Sequence, residues 1–96
     1  MLPGKEVAEP NAHTAPISAF EVASIGGQDV LFSASADGFV KAWDITNAST
    51  PGFTKINKLL ERNFGAPVLS MKMTSPTFLV IGLINGSFQG WNLNSN

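Results

Sequence analysis

The stretch "VLFSASADGFVKAWDI", residues 30 to 45, sets the fold. Two β-prone runs flank Ala36-Asp37-Gly38, and an Asp-Gly pair suits the positive φ angles of a tight turn, so two strands meet there as a hairpin. The same grammar returns in "FLVIGLINGSFQGWNL", residues 78 to 93, where apolar runs flank Asn85-Gly86 and the second run again ends in Trp. Asp37 and Asn85, Gly38 and Gly86, Trp43 and Trp91, and Ile45 and Leu93 each stand 48 positions apart. The chain therefore contains two copies of one unit.

Upstream, "APIS" (Ala15 to Ser18) answers "APVL" (Ala66 to Leu69) at a spacing of 51, so the first copy carries three extra residues between its first two strands. The insertion falls in "SIGGQD", Ser24 to Asp29, against the shorter "TSPT", Thr74 to Thr77, where Gly and Pro permit a loop of variable length. Each copy then holds strands beginning near Ile17 or Val68, near Val30 or Phe78, and near Phe39 or Ser87. A linker, "TNASTPG" (residues 46 to 52), follows the first copy. In the next segment, "FTKINKLLERNF", residues Ile56, Leu59 and Leu60 satisfy helical spacing, whereas the repeat context predicts a fourth strand.

Composition limits what such a unit can do. With 96 residues the chain is one domain at most, and 44% hydrophobic against 14% charged residues is more apolar surface than a small monomer usually leaves to water. A net charge of −1, with no Lys or Arg run, provides no basic patch, so nucleic acid is not an expected direct partner. Cysteine is absent, which removes disulfides, thiolate catalysis and Cys-based metal sites and fits an intracellular setting, cytoplasmic or nuclear. The opening "MLPGKEVAEP" lacks a signal-peptide core, and the longest apolar run, "FLVIGLI", is too short to span a bilayer, so no membrane association is expected. That run is apolar at successive positions and reads as a strand buried on both faces.

Three strands ending in Trp-Asp, a turn Asp before the last strand and a His ahead of the first resemble a WD40 repeat, the unit that forms one blade of a β-propeller. The resemblance covers Asn11 to Asn96 as two repeats, and it departs from the family's Gly-His and Trp-Asp dipeptides. The first copy has Ala12-His13; the second has Phe64 in the His position and Trp91-Asn92 for Trp-Asp. The resemblance implies an all-β fold of two four-stranded antiparallel blades, with the ring completed by self-association or by parts of a longer chain. It also implies a hydrogen-bonded structural network of His13, Ser33 or Ser35, Asp37 and Trp43 in the first copy. The second copy offers Phe64, Ile81 or Leu83, Asn85 and Trp91, so apolar packing is expected there, with Asn85 and Trp91 as blade-packing residues.

The implied organisation is residues 1–10 as an N-terminal segment, 11–62 as the first repeat with its fourth strand, and 63–96 as the second repeat without one. "GKEVAE", Gly4 to Glu9, is then a candidate strand that completes a blade from another chain. No catalytic, cofactor-binding or metal-ligating constellation is expected: His13 is the sole His, and Asp37 and Asp44 occupy turn and strand-end positions of the repeat. The implied function is a non-enzymatic scaffold for protein–protein interaction that closes a ring as a homo-oligomer. Its partner-binding loops would be Asn11 to Thr14, Ala36 to Phe39, Arg62 to Gly65 and Ile84 to Ser87, with Phe39, Arg62 and Phe64 as candidate contacts. The alternative is a purely structural self-assembling fragment, natural or engineered, with no external ligand.

Overall fold

The structure is a computed structural model that describes residues 7–53 and 55–95. Seven strands follow in order: β1 (Ile17–Ile25), β2 (Gln28–Ser35), β3 (Phe39–Asp44), β4 (Asn57–Asn63), β5 (Val68–Ser75), β6 (Phe78–Leu83) and β7 (Phe88–Asn92). They form two antiparallel sheets, one of order β1-β2-β3-β4 and one of order β5-β6-β7. The chain is thus all-β, with sheets of four and three strands, and among the described residues nothing pairs with the far edge of β7. Of the candidate strand Gly4 to Glu9, residues 4–6 lie outside the described residues and Val7 to Glu9 are not in a strand.

The two sheets share one irregularity, while a second shift, between Met73 and Ser75, belongs to the β5–β6 pair alone. The β1–β2 register shifts between Ile17 and Ala19, and the β5–β6 register shifts at the equivalent step between Val68 and Ser70. The three extra residues of the first copy do not lengthen a loop. β1 and β2 have nine and eight residues against eight and six in β5 and β6, and both hairpins turn through two residues, Gly26-Gly27 and Pro76-Thr77. Ser24, Ile25, Gln28 and Asp29 extend the ladder instead, because a tight Gly-Gly turn lets the strands pair to their ends.

The segment with helical spacing is a strand, β4, antiparallel to β3. A register shift at Ala42/Trp43 leaves Leu59 without an opposite residue, so Leu60 pairs Ala42 and Lys58 pairs Trp43. The bulge breaks the alternation of period two, which is why two adjacent leucines imitate a helical stripe; Leu59 turns to solvent and Leu60 is half-buried against the core.

The core lies between the sheets. From the first sheet Val30, Phe32 and Ala34 of β2 and Val40 and Ala42 of β3 point inward; from the second come Val68, Met71, Leu79, Ile81, Leu83 and Trp91. Burying a side chain the size of Phe32 or Leu79 contributes about 1.5–3 kcal/mol, and here it also holds the sheets face to face. Two polar links join the sheets: Ser18 Oγ donates to Val68 O at 2.6 Å, and Met73 N donates to Glu21 Oε1 at 2.7 Å.

The two repeat-equivalent turns differ in their surroundings. Gly38 and Gly86 both have φ near +88° (89° and 87°), the left-handed region that favours glycine. A Cβ on Gly38 would stand 3.3 Å from Asn63 Oδ1 and 3.4 Å from Ala66 O, while one on Gly86 meets open space. Gly86→Ala is expected to cost about 1–2 kcal/mol, the left-handed penalty alone. Gly38→Ala is expected to cost more, and urea unfolding of the two variants that gave equal losses would contradict this packing of the β2–β3 turn against the β4–β5 connection.

Candidate functional site

The first sheet's outward face carries the only continuous polar chain among the described buried side chains. Trp43 on β3 donates its indole Nε1–H to Ser33 Oγ on β2 at 2.8 Å. Ser33 Oγ lies 2.7 Å from His13 Nε2, and His13 Nδ1 lies 3.0 Å from Asp37 Oδ2. Proton directions follow from the inventory of donors. An indole only donates, so Ser33 accepts there; with the imidazole proton assigned to Nδ1, where it points at the Asp37 carboxylate, Nε2 accepts the Ser33 hydroxyl proton. Every member is satisfied, the condition under which a buried polar network is stable.

Asp37 is the anchor. Its Oδ2 also accepts from Thr14 N at 3.0 Å, and its Oδ1 accepts from Phe39 N at 2.9 Å, so one carboxylate shapes the turn and ties the N-terminal segment to it. Burial pushes this carboxyl up, but the hydrogen bonds from Phe39, Thr14 and His13 outweigh burial and hold it below the usual carboxylate range. Ser35 stands beside the chain and not within it: its Oγ donates to Ala15 O and accepts from Asp37 N, each at 3.0 Å. Lys41 Nζ adds a bond to Ala12 O at 2.6 Å. The described segment before β1 is therefore held on the first sheet mainly by side chains, with one backbone bond, from Ala36 N to Pro16 O at 3.2 Å.

In the second sheet the same positions are apolar. Ser33 is replaced by Ile81, Ser35 by Leu83, and His13 by Phe64, which packs edge-on to Trp91 at 6.0 Å between centroids. The Trp91 indole N–H is buried without a hydrogen-bond partner among the described residues. Arg62 lies across both rings, 5.5 Å from the Phe64 centroid and 5.7 Å from that of Trp91. Phe64 is buried with its ring in the core. Asn85 is exposed and its Oδ1 accepts from Ser87 N and Oγ, at 3.0 and 2.6 Å, which shapes the β6–β7 turn.

The strand directions bring the segment before β1, the β2–β3 turn, the β4–β5 connection and the β6–β7 turn to one end of the sheets. Arg62 is exposed there and Phe39 half-buried, with Lys41 Nζ 5.6 Å from the Phe39 ring. Sequence reasoning placed Ile84 in a face loop without singling it out as a contact; it is an exposed side chain in the β6–β7 turn at the position of Ala36 in the first copy. The signal was there: an apolar residue directly before Asn-Gly sits past the end of the strand and has no face to bury. Asp37 and Asp44 flank opposite ends of β3 and form no carboxylate pair; Asp44 Oδ1 instead accepts from Thr46 Oγ1 and N. Among the described residues no group of three or more His, Cys, Asp or Glu side chains is placed to hold a metal, and no helix is long and apolar enough to cross a membrane.

No protein-family model matches the chain, and neither the curated proteins nor the solved structures show a match to it.

Two outcomes check the site. Trp43→Phe and Trp91→Phe remove similar buried volume, but only the first strips a bonded N–H, so Trp91→Phe is expected to be less destabilising by about 1–3 kcal/mol in urea unfolding; equal losses would contradict the orphaned indole. Because the folded-state pKa of Asp37 is lowered, its contribution is full above the unfolded value of about 3.9 and is lost as pH falls through the folded value. The stability gap between wild type and Asp37→Asn is therefore expected to be constant above about pH 5 and to narrow progressively on further acidification toward about pH 1 (roughly the span of such a loss), and a gap that does not narrow on acidification would overturn the role given to the carboxylate.

Proposed function

We propose that this chain is a non-enzymatic β-propeller scaffold for protein–protein interaction, with its two sheets as WD40-like blades and the ring assembled from two-blade units. The observation that carries the reading is the apolar outer face of each sheet. Ile17, Phe20 and Val22 on the first and Leu69, Phe78 and Phe88 on the second are all exposed large hydrophobic residues. A sheet with two apolar faces is stable only between neighbours, and propellers meet that need with about four to eight sheets around a channel. Homo-oligomeric closure supplies the further blades, and an intracellular location, cytoplasmic or nuclear, accords with the absence of cysteine.

Partner binding belongs to the end of the sheets where the four connections gather. Arg62, Phe39 and Ile84 are the candidate contacts, an arginine and two apolar side chains of the kind that anchor interfaces. The network of His13, Ser33, Asp37 and Trp43 is structural in this reading: it holds the β2–β3 turn and the N-terminal segment in place beneath that surface. Affinity capture with the wild-type chain and with the Arg62→Ala/Ile84→Asp variant tests it. Specific co-purifying proteins are expected to fall at least tenfold (about 1.4 kcal/mol) while the elution volume of the chain itself is unchanged. Undiminished capture would count against this end of the sheets as the binding surface.

A further inference from the structure

The internal packing of the chain is a template for how its outer faces are covered. Equivalent positions, 48 apart in the later strands and 51 apart in the first, are exposed in one copy and buried in the other, according to the side on which a neighbour stands. On the face that looks toward the chain's start, Phe20 is 55% exposed and its equivalent Met71 9%; Ile17 is 42% exposed and Val68 1%. On the opposite face the order reverses: Phe88 is 77% exposed and Val40 0%, Phe78 37% and Val30 4%. The second sheet's covered face lies on the first sheet's covered face, so the two uncovered faces are the same two surfaces, one from each copy.

We infer that copies of this chain stack head to tail, the outer face of β5-β6-β7 in one copy seated on the outer face of β1-β2-β3-β4 in the next. This rests on the blade reading and adds the partner, the two faces and the symmetry of the contact. The occupant is a second copy because one chain carries both halves of the contact, and because side-chain volumes trade between them. Ser33 in place of Ile81 leaves a largely apolar hollow of about 170 Å³ bordered by Ile17, Phe20, Leu31, Trp43 and Ile56, while the mating face carries Phe88 and Phe78 in place of Val40 and Val30. Such a contact is heterologous, so it propagates copy to copy until the rotation closes a ring. A two-fold pairing of identical faces would instead leave the other face of every copy bare.

Charge placed on one face at a time reads this directly. Val22→Glu damages only the accepting face, and Phe88→Glu damages only the donating face; both side chains are exposed, so the fold itself is undisturbed, which circular dichroism checks. By light scattering, wild type is expected to be a multiple of 10.2 kDa and each variant alone a monomer. An equimolar mixture is expected to give one intact contact, hence a 1:1 heterodimer of twice 10.2 kDa and nothing larger. A variant that keeps a homodimer through its undamaged face, or a mixture that stays monomeric, overturns the head-to-tail contact. So does a monomeric wild type, and the scaffold reading is then decided separately by the partner capture described above.

Discussion

Burial of both faces of a sheet is the constraint on which the rest of this structure depends. A lone antiparallel sheet can leave one face in water, and its strands then alternate apolar and polar residues. Here β2 and β6 do not alternate: Val30, Leu31 and Phe32, and Phe78 to Ile81, are apolar in sequence. One face of each sheet is accounted for within the chain, where Phe32, Val40 and Ala42 meet Leu79, Ile81 and Trp91. That single interface orients everything else. It sets β5 beside β1 through Ser18 and Glu21, brings the turns to one end, and leaves the unmatched surfaces at the two ends of the stack.

The two sheets meet the same geometric demand with different chemistry. Both place a Trp at the end of the third strand, and an indole there must either find an acceptor or lose hydration without return. Ser33 is that acceptor in the first sheet; Ile81 is not one in the second. Losing a hydrogen bond of ordinary strength costs about 1–3 kcal/mol for the unsatisfied group. A fully buried Ile in place of Ser recovers a comparable amount from apolar area, and the Phe64–Trp91 contact adds to it. The substitutions therefore go together: once His13 is answered by Phe64, a serine between them would lack its second partner.

Much of this was legible in the sequence, and for an identifiable reason. Turn chemistry at Asp37-Gly38 and Asn85-Gly86 is local, so hairpins announce themselves in a few residues. The repeat spacing then carries the reading from one copy to the other. What was not legible depended on contacts made by distant residues. The side of β4 that Leu59 occupies is set by a bulge opposite Ala42 and Trp43, and no local pattern encodes it. The burial of Phe64 follows from Trp91, 27 positions on in the chain. The extra residues of the first copy lengthen strands and not a loop because Gly26-Gly27 can turn in two residues, a choice between outcomes that composition permits equally.

Placement of the polar network has its own physical logic. The face of the second sheet that would carry such a network is covered by the first sheet of the same chain, and there an apolar solution is never tested by water. The equivalent face of the first sheet has no neighbouring sheet among the described residues. An apolar set at Ser33, Ser35 and His13 would make that face greasier still whenever it stood alone. Hydroxyl, imidazole and carboxylate groups bonded to one another, and to the backbone of Thr14, Ala15 and Phe39, keep the turn ordered whether or not a neighbouring sheet is present. Polar cross-links thus stand on the face that no other described residues of the chain cover, and apolar packing on the face whose cover is guaranteed by chain connectivity.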